Sequence, residues 1–84
     1  MYEVIVSKSA QKSFSQLPQV MQERVLGVLE RISLRPYAFV RKLAGSHAYR
    51  LRVGKYRLIL DINEKANRIE VLLIGNRENI YEKI

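Results

Sequence analysis

This chain of 84 residues contains no cysteine. That excludes a disulfide framework, a thiol nucleophile and any cysteine-ligated metal site, and it suits a cytoplasmic location. No apolar run extends beyond a few residues, far short of the ~20 that a transmembrane helix needs. The opening stretch, Met1 to Val6, has neither a basic leader nor a long apolar segment, so no secretory signal is expected. Histidine occurs once, at His47, and no set of His, Asp and Glu has metal-ligand spacing. There is no Ser-His-Asp pattern, no Gly-rich phosphate loop, no internal repeat and no low-complexity segment. No cofactor is implied. Acidic residues are also scarce, with 8 Asp and Glu against 15 Lys and Arg, for a net charge of +7.

Hydrophobic residues make up 48% of the chain, which places it among globular proteins and not disordered ones. The length allows one domain, residues 1–84, around one small core. A positive balance of this size favours a polyanionic partner: nucleic acid first, then an acidic protein, then an anionic membrane surface.

Tyr2 to Val6 is short, apolar and β-rich, and reads as a first strand. Ser7 and Ser9 follow as candidate helix N-caps. Ala10, Phe14 and Leu17 fall at helical spacing, predicting a short helix over 8–16 that closes before Pro18. Pro18 suits the first position of a second helix, where its missing N–H costs nothing. Met21, Val25, Val28, Leu29 and Ile32 then trace one apolar stripe. Pro36 ends this helix by disfavouring helical geometry at Arg35. Residues 37–46 read as a connector, with Tyr37 and Phe39 packing over the helix ends.

The stretch 49–62 reads as a β-hairpin. Two runs rich in Val, Ile, Leu and Tyr flank Gly54-Lys55, and Gly first in a two-residue loop signals a type II′ turn. The loop sets the register: Val53 opposite Tyr56, Arg52 opposite Arg57, Leu51 opposite Leu58, Arg50 opposite Ile59, Tyr49 opposite Leu60. By alternation, Tyr49, Leu51, Val53, Tyr56, Leu58, Leu60 and Ile62 share one face. Arg50, Arg52 and Arg57 share the other with Ile59 and Asp61. A polar turn over 63–68 leads to a last strand, Ile69 to Ile74, closed by Gly75. Antiparallel pairing brings that strand's end back to Tyr56 and Arg57. The order predicts an α+β fold: an N-terminal strand, a two-helix hairpin packed on one face of a largely antiparallel four-stranded sheet, and a short C-terminal helical tail.

Arginine directly opposite arginine destabilises a strand pair, and a visiting anion such as phosphate explains the choice. The planar guanidinium makes paired hydrogen bonds to phosphate and keeps its charge. Arg77, just past the last strand, is placed to approach Arg57 from the other side. Tyr81 shares a face with Arg77 if the tail is helical, where it can stack on a base or move a proton. Glu78 reads as an ion-pair partner, and His47 as a loop residue outside the basic face.

These residues resemble a known family. Lys42-Leu43-x-Gly45, then Tyr49-Arg50-Leu51-Arg52-Val53-Gly54-x-Tyr56-Arg57, then Ile74-Gly75-x-Arg77 and Tyr81, are similar to the RelE/ParE toxin superfamily of type II toxin–antitoxin systems, and lean toward its RelE branch. The resemblance implies a small metal-independent endoribonuclease, an mRNA interferase that cuts mRNA in the ribosomal A site. There the 2′-hydroxyl attacks the neighbouring phosphate, giving a cyclic or 3′-phosphate end and a 5′-hydroxyl. It implies an acidic antitoxin that blocks the toxin. By position, Arg57 corresponds to the family's phosphate-stabilising arginine, Arg77 to the arginine near the leaving group, and Tyr81 to the C-terminal tyrosine that stacks on a base. Arg52 and Arg50 take the two basic positions of the preceding strand. The expected catalytic set is thus Arg57, Arg77, Tyr81 and Arg52, with RNA contacts from Arg50, Arg52, Lys42 and Lys55.

The chain departs from the family pattern at the strand positions, where some relatives carry lysine and this chain carries arginine, which does not act as a base. Asn76 stands where relatives often have histidine. Proton transfer is therefore left to Tyr81, Glu78, water or the ribosome, with the guanidiniums stabilising the charged phosphorane. Two alternatives share the fold: a ParE-like gyrase poison, and a catalytically degenerate, basic RNA-binding member.

Overall fold

The computed structural model describes residues 1–76. The elements are β1 (Glu3–Val6), α1 (Lys8–Ser15), α2 (Gln19–Leu34), β2 (Val40–Lys42), β3 (Tyr49–Val53), β4 (Tyr56–Asn63) and β5 (Arg68–Asn76). Arg77, Glu78, Tyr81 and the expected helical tail lie outside the described residues.

Local chemistry accounts for several of these boundaries. The Ser7 hydroxyl caps α1 by accepting from the Ala10 N–H at 3.1 Å, satisfying one of the donors a helix start leaves open. Pro18 is the N-cap of α2, one position earlier than expected, with extended backbone. Gln22, one turn into α2, donates its side-chain N–H to the carbonyls of Phe14 and Leu17, both at 3.1 Å. It thereby adds a side-chain donor to carbonyls at and just after the end of α1, the Phe14 carbonyl also accepting from the Leu17 N–H at 3.0 Å, and ties the helical hairpin together. Gly54 takes φ +60° and Lys55 does not turn positive, as a type II′ turn requires. In the β4–β5 turn the positive φ falls on Asn67, at 51°, a residue that tolerates it.

The β3–β4 register is the expected one at all five pairs, from Tyr49↔Leu60 to Val53↔Tyr56. β5 returns antiparallel along β4, with Ile62↔Ile69, Leu58↔Ile74 and Arg57↔Gly75. It does not stop at Gly75 but runs on through Asn76.

The sheet corrects the expectation in two respects. It has five strands among the described residues, in the order β1-β5-β4-β3-β2, because the connector contains a short edge strand, β2, antiparallel to β3. It is also mixed: β1 lies parallel to β5, with Val4↔Ile69 and Val6↔Val71 in register. A parallel neighbour needs a long crossover, and here everything between the first and last strands provides it.

A register shift separates the pairs Ile59↔Leu73 and Leu60↔Val71, so Leu72 is an extra residue on β5. Its carbonyl accepts from the Ser7 hydroxyl at 2.8 Å. One serine therefore starts α1 and satisfies the bulge.

Both helices cover the same sheet face, as expected. Ala10, Leu17, Val25, Leu29 and Ile32 pack on Leu51, Val53, Leu58, Leu60, Ile69, Val71 and Ile74. Each fully buried Leu or Ile side chain contributes roughly 1.5–3 kcal/mol. Met21, Val28 and Phe14 pack at the margin of this cluster. Ile59, on the other side of β4, is also buried but stands outside the cluster. Among the described residues, no helix is long and apolar enough to cross a membrane.

Candidate nucleic-acid interface

The face of the sheet away from the helices carries the cationic residues. Alternation along β3 puts Arg50 and Arg52 on it. The two-residue loop then sets Arg57 directly opposite Arg52, while β2 sets Arg41 directly opposite Arg50. Together with Phe39 these four arginines line one cleft of about 400 Å³, within the usual range for small-ligand sites of roughly 300–1,000 Å³.

Arg57 forms the floor. It sits on the middle strand, held by β3 on one side and β5 on the other, and is only 6% exposed. Its neighbour on β5 is Gly75, which offers no side chain to crowd it. Among the described residues, its guanidinium donates from Nη1 to the Tyr56 carbonyl at 3.3 Å. No buried side-chain nitrogen or oxygen among the described residues lacks a partner, and Arg57 lines the cleft.

Arg52 is exposed and directs Nε to the Gly54 carbonyl at 3.4 Å, which bends it back over the turn. Among the described residues, no carboxylate pairs with Arg41, Arg52 or Arg57; the ion pair found there is Arg68 with Glu3 at 3.6 Å, well exposed and at the other end of the sheet. Exposed pairs of that kind are worth under ~1 kcal/mol.

The expected residues therefore divide. Arg50, Arg52 and Arg57 come together. Lys42 does not join them: it pairs with Tyr49, on the other side of β2 from Arg41, and lines a separate cavity of about 490 Å³ with residues 43–47, His47 included. Lys55 sits in the Gly54-Lys55 turn and does not line the cleft. Arg77 and Tyr81 lie outside the described residues.

Arg41 and Phe39 were missed. Phe39 was expected to pack over the helix ends, but it is half exposed and lines the cleft. The one signal was the Gly45-containing loop ahead of Tyr49, which suits a hairpin with a longer loop; Phe39-Val40-Arg41-Lys42 itself does not alternate. Three residues were too few to register as a strand.

Tyr37 secures the approach to β2. Its hydroxyl donates to Glu64 Oε1 at 2.6 Å, and its ring meets Tyr49 edge-on with centroids 5.6 Å apart. The hydrogen bond to Glu64, then desolvation and the negative charge of Glu64, raise the phenol pKa well above its ordinary value. No group of three or more His, Cys, Asp and Glu able to hold a metal stands together among the described residues.

Fold and cleft define a class: a small α+β domain with its core on one face of the sheet and an arginine cleft on the other. The model of the ParE toxin of the type II toxin–antitoxin system, parDE, matches residues 4–81. The chain belongs to that family, and with it to the RelE/ParE toxin superfamily. Among solved structures it is similar to a chain of the archaeal RelE–RelB complex from Pyrococcus horikoshii OT3, with 30% identity, a TM-score of 0.81, and 93% of this chain and 97% of that chain covered. It shares the fold of a chain of the RelBE2 toxin–antitoxin complex from Mycobacterium tuberculosis, at 22% identity and TM-score 0.83 over 90% of this chain and 98% of that one. It also shares the fold of the isolated E. coli RelE toxin, at 20% identity and TM-score 0.81 over 99% and 94%. No curated protein sequence matches it.

Proposed function

We propose that this toxin is a ribosome-dependent endoribonuclease that cuts mRNA in the A site without a metal ion, and that an acidic antitoxin neutralises it. The observation that carries the reading is Arg57: a nearly buried guanidinium facing Arg52, without a carboxylate partner among the described residues, and open to a cleft. A phosphate in the cleft supplies the missing anion. As the 2′-oxygen attacks phosphorus, a second negative charge develops on the non-bridging oxygens. Fixed donors aimed at those oxygens stabilise that state more than the ground state. The 2′-hydroxyl proton is lost to Tyr81, Glu78, water or the ribosome, the bond from phosphorus to the 5′-oxygen breaks, and a proton from the same set reaches that oxygen, leaving a 2′,3′-cyclic phosphate and a 5′-hydroxyl.

Arg57 is assigned the phosphorane, with Arg52 and Arg50 positioning the backbone. Arg77 and Tyr81, carried over from the family resemblance, are assigned the leaving group and base stacking. The matched structures from Pyrococcus horikoshii and Mycobacterium tuberculosis contain an antitoxin beside the toxin. A chain of net charge +7 suits an acidic one.

The family-model match favours a second reading, a ParE-like gyrase poison. The test runs both assays on one preparation: in vitro translation with mapping of mRNA 5′ ends, and gyrase supercoiling. The endoribonuclease reading expects new 5′-hydroxyl ends only in the presence of ribosomes, lost in R57A and R77A. Blocked supercoiling with intact mRNA selects the gyrase reading instead.

A further inference from the structure

Phe39 is half exposed, on the rim of a cleft whose other lining residues, among those described, are arginines. An aromatic ring open to water loses the burial that normally justifies it. It has not escaped from the core, since it precedes β2 on the arginine side of the sheet, away from the helices. The ring stands beside Arg41 on the edge strand, two strand spacings, roughly 10 Å, from Arg57 on the middle strand. A bare phosphate at Arg57 gains nothing from it. A ligand that carries both anionic groups and flat apolar rings gains from both.

We propose that Phe39 is a base-stacking platform, and that Phe39 with Arg41 forms a subsite for a nucleotide next to the one whose phosphate Arg57 holds. This rests on the endoribonuclease reading, whose mRNA substrate is single-stranded, and assigns a place to the neighbouring base. Only an unpaired base offers a free face to an exposed ring, because the faces of duplex bases are already stacked. Base–aromatic stacking of this kind tolerates any base and is sensitive to removal of the ring. The subsite thus adds affinity without sequence preference.

The chain has no tryptophan, so F39W is a single fluorescent reporter at the position in question. The probes are a short single-stranded RNA, 2′-O-methylated to prevent cleavage, and an abasic strand of the same length and charge. We expect RNA to quench F39W fluorescence and the abasic strand to leave it nearly unchanged. In anisotropy titrations F39A and F39L should bind the RNA roughly 5- to 50-fold more weakly than the unaltered protein, while F39W retains its affinity and all four proteins bind the abasic strand alike. F39L separates ring stacking from apolar bulk, and its exposed position leaves folding intact. RNA affinity unchanged in F39A, or an equal loss on both probes, overturns the proposal. R57M is the control for the underlying site: it should weaken both probes. Unchanged binding by R57M overturns the arginine site itself, whatever the Phe39 variants do.

Discussion

If Arg57 is held for an anion and not for the fold, neutralising it should make the protein more stable. Arg57→Met is the chosen change, because methionine keeps most of the aliphatic stem and its packing while removing the charge. Three quantities set the expected magnitude. Arg57 stands directly opposite Arg52; two unit charges about 6 Å apart repel by ~0.7–3 kcal/mol between water-like and near-surface dielectrics. Cross-strand like-charge penalties lie at the low end of that range, about 0.2–1 kcal/mol. Near-complete burial adds a desolvation cost. Against this, Met loses the long bond to the Tyr56 carbonyl, worth under ~1 kcal/mol. The balance is a gain of about 1 kcal/mol, which for a domain this small is a rise in Tm of roughly 4–8 °C.

The assay is thermal unfolding followed by circular dichroism at low and high salt, with R57K beside R57M. The gain should be larger at low salt, where repulsion is less screened. R57K keeps the charge and should show no gain. Added phosphate should raise the Tm of the unaltered protein and much less that of R57M, because a ligand stabilises only the state that binds it. A drop of more than about 1 kcal/mol for R57M at both salt concentrations would falsify the reasoning: Arg57 would then be a structural support, and the cleft an accident of the surface.

Two further outcomes follow from the hydrogen bonds. Ser7→Ala removes the α1 cap and the partner of the bulge carbonyl together, and should cost about 1–2.5 kcal/mol in urea unfolding with an unchanged m-value; a loss below about 0.3 kcal/mol contradicts the double role. Tyr37 has its pKa raised by Glu64, so its protonated form is the one the fold favours. The stability this contributes is fully present below the ordinary tyrosine pKa near 10 and is lost as pH rises through the higher folded value. In an alkaline absorbance titration of the five tyrosines, one should ionise late, the late phase should vanish in Y37F, and it should move earlier in E64Q. A single early transition in all three proteins contradicts the bond.

What was legible in the sequence was what neighbouring residues decide. Gly54-Lys55 imposes a turn, the turn imposes a register, and the register puts Arg52 against Arg57. The stripe from Met21 to Ile32 named the buried side of α2 for the same reason. What escaped depends on partners far away in the chain. Nothing in the apolar run from Val4 to Val6 says whether it lies parallel or antiparallel to its neighbour, and β5, more than sixty residues on, decides it. The bulge at Leu72 answers to Ser7 and is equally invisible locally. β2 failed by being short, and with it went half of the cleft's rim, Arg41 and Phe39.

The placement of the four arginines suggests a division of labour that follows from strand order. β4 is the middle strand, hydrogen-bonded on both sides, and its alternate residues Leu58 and Leu60 are wholly buried under the helices. Arg57 therefore projects from the most constrained backbone in the sheet, as preorganised charge stabilisation demands. Arg50 and Arg52 lie one strand out and are exposed at their tips. Arg41 belongs to an edge strand of three paired residues and Phe39 immediately precedes it, both restrained mainly by β3 and by the Tyr37 contacts. Rigidity thus falls off from the floor to the rim. On the proposed endoribonuclease reading, the scissile phosphate has one geometry at every RNA sequence whereas the neighbouring base varies, and a rigid floor with an adaptable rim suits such a ligand. The cost of crowding cations is borne on this face because the cohesion resides on the other, and so the charge at Arg57 can be changed without disturbing the core.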